Sequence, residues 1–202
     1  MNGATYDSFS ELVRRARSVR RFDEAHRLDR EQLLGLVELA RLSPSSANRQ
    51  TLRFFLCTDR DLGERIFAQL AWAGYLADWP GPEPGRRPAA YIVLLHDQRL
   101  GPVREVDAGI ALQSMLLGAC ARGLAGCIIG SINRARLAAE LGLAEHLQIL
   151  YVLALGRGSE RVIVEDLPAG GEVRYWRDER GTHHVPKRTL AELVVTREDE
   201  KP

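Results

Sequence analysis

Apolar residues recur at helical spacing in Phe9, Leu12, Val13 and Ala16, behind a Ser8-Phe9-Ser10-Glu11 capping pattern, which predicts a first helix starting near residue 9. Asp29-Arg30-Glu31-Gln32 repeats the capping signal, and Leu33, Leu36, Val37 and Ala40 form the stripe of a second helix that Ser43-Pro44 ends. Four runs are continuously apolar, as strands buried on both faces are: Arg53–Thr58, Ala90–His96, Gly126–Ile129 and Ile149–Leu155. Helical patterns fill the intervals at Leu62–Leu76, Val103–Arg122 and Arg134–Leu141. Beyond them, Val162–Glu165, Val173–Arg177 and Thr182–Val185 read as short strands or arms between glycine-bearing turns, and Leu190–Val195 suits a strand or a helical turn. Together these elements predict a mixed central sheet flanked by helices on both faces, an α/β/α sandwich with an extended C-terminal arm.

The chain has 202 residues, 45% hydrophobic and 27% charged, which is enough for one domain over residues 1–202 that buries roughly 70% of its unfolded surface. Trp79–Pro88, rich in proline and glycine, is a surface loop or lid within that domain. A net charge of +1 removes the field that recruits nucleic acid or an anionic membrane. The longest uncharged stretch, Ala108–Ala121, is too short to cross a bilayer and reads as a buried helix. Because that helix has almost no polar face, a second subunit packing on Gly109, Gly118 and Ala119 is expected to help cover it. Met1–Tyr6 lack the features of a signal peptide, and Cys57, Cys120 and Cys127 sit in apolar surroundings, so a cytoplasmic protein with reduced core thiols is expected.

Four segments carry candidate chemistry. Arg17-Ser18-Val19-Arg20 ends the first helix, where planar guanidinium groups beside a hydroxyl suit a phosphate and equally suit the negative end of the helix dipole. Pro44-Ser45-Ser46-Ala47-Asn48-Arg49-Gln50 is a loop dense in donors and acceptors, able to read a polar ring edge or to serve as a plain turn. Ile128-Ile129-Gly130-Ser131 ends a strand where Gly130 lets backbone N–H groups approach a ligand closely, or simply packs tightly. Lys187-Arg188 is a basic pair near the C-terminus. Trp72 and Tyr75, at helical spacing, either wall a pocket or pack the proline-rich loop, and Tyr175-Trp176 lies in the arm. His183 and His184, adjacent on an extended segment, point to opposite faces and cannot readily share a metal ion, so no metal is expected. Gly156-Arg157-Gly158-Ser159 lacks the ending of a phosphate loop and reads as a strand-exit turn.

In this order the four segments resemble the FMN-dependent nitroreductase family over nearly the whole chain. The resemblance implies an α+β flavoprotein, an intertwined homodimer with one FMN at each interface and sites built from both chains. It assigns Arg17, Ser18 and Arg20 to the phosphate and ribityl chain, with Lys187 and Arg188 completing the clamp, since Ala16 stands where the family often has a further arginine. It sends Pro44, Ser45, Ser46, Asn48 and Gln50 to the partner's flavin, and sets Ile128, Ile129, Gly130 and Ser131 against the flavin N5 region, with Gln69 near the pyrimidine edge. Better-known members often carry an acidic residue where this chain has Gly130, and proline with a large residue where it has Thr51-Leu52. The function implied is ping-pong electron transfer from NADH or NADPH through FMN to a small flat acceptor such as a nitroaromatic or quinone, with no catalytic side chain because the flavin carries the chemistry. Alternatives within the same motifs are an FMN-binding sensor or carrier with little turnover, and a specialised flavin enzyme, dehalogenase-like or flavin-cleaving.

Overall fold

The computed structural model describes residues 3–76 and 78–195. Met1 and Asn2, part of the start read above as lacking a signal peptide, lie outside the described residues. The central sheet contains β1 (Phe22–Asp23), β2 (Leu52–Cys57), β3 (Ala90–Asp97), β4 (Ala125–Ile129) and β5 (Leu147–Gly158). β3 lies between β2 and β5, and β5 also pairs with β4 and β1, all antiparallel. The sheet is therefore antiparallel between all its strands rather than the mixed sheet the sequence suggested, and Ser18 adds an isolated parallel bridge to Gly126 outside those strands. β3 is buried at every position. Its side chains alternate: Ala90, Ile92 and Leu94 join one core with α2 (Arg30–Leu42) and α4 (Glu105–Ala121), while Tyr91, Val93 and Leu95 join a second core beneath α3 (Arg60–Phe67) and α5 (Arg134–Glu140). The three layers follow from that period-two alternation between two apolar faces.

β5 runs further than the sequence pattern, and Gly156 to Gly158 form strand rather than an exit turn. The glycine at 156 is a steric necessity: a Cβ there would stand 2.8 Å from the ring of Phe22, which is fully buried. The first helix, α1 (Gly3–Arg15), starts earlier than residue 9 and takes Ser8 and Ser10 into its body, because extending a nucleated helix is easier than starting one at the hydroxyls. The third helix corrects the pattern in the other direction, since α3 ends at Phe67 rather than Leu76. Leu70 bridges to Ile132, the Ala71 N–H donates to Ser131 O at 2.9 Å, and Ala73 takes φ 43°, so pairing with the residues that follow β4 pulls the segment off the helical path.

α4 is covered on one side by its own chain. Gly118 faces α2, where a Cβ would meet Leu39 Cδ1 at 2.2 Å, and Ala119 is fully buried, so neither is the free surface the sequence suggested. Gly109 is open, beside exposed Val106. The arm forms a second sheet from β6 (Val162–Asp166), β7 (Trp176–Arg177) and β8 (His183–Lys187), with β8 parallel to β6 and antiparallel to β7. Residues 190–193 resolve as a helical turn, α6, capped reciprocally by Thr189 and Glu192. Among the described residues no helix is long and apolar enough to cross a membrane.

Candidate functional site

The end of β4 and the segment after α3 enclose a cavity of about 130 Å³ lined by Arg20, Trp72, Ile128, Ile129, Gly130, Ser131 and Tyr175, among others. The backbone carbonyls at its floor are tied back, Ser131 O to the Ala71 N–H and Gly130 O to the Arg134 guanidinium at 3.1 Å. No acceptor among the described residues engages the N–H of Gly130 or Ser131, both of which are exposed. Two unengaged amides next to one guanidinium make a half-site for an anionic or acceptor-rich ring edge. A Cβ at Gly130 would come within 3.3 Å of the Tyr151 ring, so the bare backbone keeps this edge open.

Arg20 enters from the segment after α1. Its backbone N–H donates to Glu160 Oε1 at 2.5 Å, its Nη1 meets His183 Nε2 at 3.2 Å, and its guanidinium lies 5.0 Å from the Tyr175 ring. Glu160 is 2% exposed and also accepts from Arg177 Nη2 at 3.0 Å. Burial, with the Arg20 and Arg177 charges beside it, pushes the His183 imidazole down to about 4. Desolvation likewise holds the Cys127 thiol, at the cavity floor, above its ordinary value.

Arg17 does not join Arg20. Its guanidinium turns back to Val13 O at 2.9 Å and Ala16 O at 2.9 Å, capping the carbonyl end of α1. Ser18 is exposed and stands outside the cavity lining; its backbone bridges to Gly126. Gln69 sits where its backbone O accepts from Asn133 N–H, next to the cavity wall formed by Ala71 and Trp72. Trp72 serves both readings: it lines the cavity yet is 7% exposed, packed on Phe67 at 5.6 Å and covered by Gly81. Tyr75 is half-exposed and packs against Tyr175 with ring centroids 4.8 Å apart and the planes tilted by 53°. Lys187 and Arg188 are exposed; Arg188 pairs with Glu192. Lys187 lies four residues along β8 from His183, roughly 13 Å at strand rise, so one chain does not bring it to the cavity.

The serine-rich loop lines a separate cavity of about 290 Å³ with Pro44, Ser45, Gln50, apolar Val37, Ala40, Leu52 and Phe54, and Asp107. Ser46 donates to Asp107 Oδ1 from both N (2.8 Å) and Oγ (2.7 Å), while Asp107 Oδ2 and Ser45 Oγ are buried without partners among the described residues. Ala47, Asn48 and Gln50 adopt φ of 50°, 52° and 51°. A left-handed run of side-chain-bearing residues persists only where its surroundings dictate it, and the Asp107 anchor does so here. Sequence reasoning missed Asp107, Glu160 and the approach of His183 to Arg20; the one advance signal was an acidic residue in the first turn of an otherwise apolar helix. His184 faces away from His183, to Glu165 Oε1 at 2.5 Å and Asp178 Oδ2 at 3.4 Å.

The nitroreductase family model matches residues 13–157, from the end of α1 through β5. The chain belongs to the nitroreductase family. Solved structures agree on the fold of this family member. An FMN-dependent nitroreductase from Clostridium difficile R20291 is 20% identical, with a TM-score of 0.62 over 74% of this chain and 87% of that one. A nitroreductase family protein from Clostridium difficile 630 is 22% identical, with a TM-score of 0.59 over 74% and 84%. An NADPH:FMN oxidoreductase from Vibrio harveyi, solved with NAD+, is 26% identical, with a TM-score of 0.59 over 75% and 69%. The arm, with Glu160, Tyr175 and His183, lies beyond the residues that the family model matches.

Proposed function

We propose that this nitroreductase family member is an FMN-dependent oxidoreductase of the cytoplasm that passes electrons from NADH or NADPH to a small flat acceptor. The observation that carries the reading is the convergence of Arg20 with the unengaged amides of Gly130 and Ser131 on one cavity. These groups suit an FMN ring: the amides donate to acceptor atoms, and the Arg20 guanidinium, which the resemblance gave to the phosphate and ribityl chain, in this reading faces the ring instead, because it shares its cavity with Gly130 and Ser131, and stabilises negative charge there. FMN, when bound, supplies hydride acceptance from the nicotinamide and delivery of electrons to a second substrate in turn.

The functional unit in this reading is a homodimer. At about 130 Å³ the Arg20 cavity is smaller than the roughly 300 Å³ at which cofactor pockets begin, and Pro44, Ser45 and Gln50 line a different cavity. Two chains that meet across the open face of α4, at Val106 and Gly109, bring the serine-rich loop of one to the Arg20 cavity of the other. Lys187 and Arg188 then meet the phosphate, and Tyr75 with Trp72 shapes the acceptor side. The test is a visible spectrum of the protein after FMN loading and desalting, followed by anaerobic NADH and then NADPH. Retained flavin that bleaches is expected; loss of all flavin on desalting overturns the reading.

A further inference from the structure

Among the described residues Arg20 is the one charged side chain on the wall of the cavity. Its environment is unusual in what it lacks. An arginine at a surface is commonly paired with a carboxylate, but the buried carboxylate of Glu160 beside it has its hydrogen bonds elsewhere: Oε1 accepts from the Arg20 backbone N–H and Oε2 from Arg177. The guanidinium instead donates from Nη1 to Nε2 of His183, at 3.2 Å. A guanidinium has no acceptor, so Nε2 must be the unprotonated nitrogen and the ring is neutral. His183 is 1% exposed and its other nitrogen, Nδ1, has no hydrogen-bond partner among the described residues. Its ring packs on Tyr175 at 5.1 Å, and Tyr175 lies against the same guanidinium and accepts from the Tyr75 N–H at 3.3 Å.

The chemistry separates orientation from charge. A carboxylate at position 183 would orient Arg20 and also cancel its charge; an alkyl group would do neither. A neutral imidazole orients the guanidinium through a directional bond and leaves the full positive charge directed at the cavity, where the surrounding protein screens it less than water would. We propose that His183 is a positioning residue which holds the Arg20 guanidinium against the cavity with its charge uncompensated, so that the bound group is favoured most when it is anionic. The inference rests on the proposed FMN site and deepens it: the arm, outside the part of the chain shared with the family model, sets how strongly the reduced, negatively charged flavin is held relative to the oxidised one. The groups facing His183 are Arg20, Arg177 and Tyr175, with His184 next in sequence and turned to the opposite side of β8; protonating the ring would place a third cation beside Arg20 and Arg177.

The experiment uses full-length wild type, His183→Gln, His183→Ala and His183→Glu, with His184→Gln as a control that perturbs the arm without touching Arg20. Three quantities are read: FMN affinity of the apoprotein by fluorescence quenching, the midpoint potential of the bound flavin, and the Arg20 side-chain resonance by nitrogen NMR in the apoprotein. His183→Gln, which keeps a neutral acceptor, is expected within about twofold of wild type in affinity and unchanged in potential. His183→Ala is expected to free the Arg20 side chain and weaken FMN about tenfold. His183→Glu is expected to keep Arg20 ordered while lowering the potential by about 30 mV, a tenfold loss of preference for the reduced form in a two-electron couple. A folded His183→Glu protein with wild-type potential overturns the role of His183, as does an Arg20 resonance unchanged in His183→Ala. Failure of the wild-type chain to bind FMN overturns the proposed function itself, and the role drawn from it.

Discussion

Asp107→Ala isolates the anchor of the serine-rich loop. In the wild-type chain the Asp107 carboxylate is 2% exposed and accepts two hydrogen bonds from Ser46 on one oxygen, while its other oxygen has no partner. Hydrogen bonds to a charged acceptor contribute about 1.5–3 kcal/mol each. Removing the carboxylate also removes the desolvation burden of the unpartnered oxygen, which offsets about 1–3 kcal/mol, so a net loss of about 2–4 kcal/mol is expected. For a chain of this size each kcal/mol lowers the melting temperature by about 2–4 °C, giving a fall on the order of 5–15 °C. The loop responds as well, because Ala47, Asn48 and Gln50 hold left-handed backbone that relaxes once Ser46 is released. Urea denaturation followed by circular dichroism measures the effect as a shift in midpoint at constant slope. Asp107→Asn retains one acceptor oxygen and should lose about half as much. A midpoint for Asp107→Ala equal to wild type would refute the reasoning, since it would show that neither bond nor loop geometry depends on this carboxylate.

Two glycines should answer alanine differently. Gly156→Ala forces a methyl against the fully buried Phe22 and should destabilise by about 1–3 kcal/mol, whereas Gly118→Ala meets the free end of a partly exposed Leu39 and should cost under about 1 kcal/mol; paired urea titrations compare them. Arg20→Ala removes the cavity's cation and should weaken FMN retention about 10- to 100-fold, read by equilibrium dialysis, with no change if the site lies elsewhere. The arm should show opposing pH responses. His184 gains Glu165 and Asp178 on folding, which raises its pKa, so its stabilisation is complete below the unfolded value near 6.5 and is lost as pH rises through the folded one. His183 is depressed to about 4, so the stability gained by burying it neutral is present above pH 6.5 and lost as pH falls toward 4. Protection of β8 against hydrogen exchange, after division by the intrinsic exchange rate at each pH, should therefore be greatest near neutral to slightly acidic pH, with His184→Gln abolishing the alkaline limb and His183→Gln the acid limb.

Local patterning made the layers and most element boundaries legible in the sequence. Continuous apolar runs marked β3 up to Leu95 and the middle of β5, because a strand with cores on both faces leaves few positions for a polar side chain. The capping residues of α2 were equally readable, since Asp29 and Gln32 act on backbone groups three residues away. The short motifs around Arg20, Ser45 and Gly130 identified the family for the same reason: each is a contiguous stretch that keeps its meaning apart from the rest of the chain.

What the sequence did not determine depends on segments far apart in the chain. Nothing near Leu70 announces that α3 stops at Phe67, because the cause is Ile132 across the sheet edge. Arg17 and Arg20 look alike in sequence, yet one folds back onto its own helix and the other is drawn into the cavity by residues 140 and 163 positions later. Composition and spacing therefore specify which groups this protein owns and which faces it buries. Only tertiary structure decides which charge is cancelled, which is left bare and which loop is strained, because electrostatic and steric energies depend on distances that chain order does not encode.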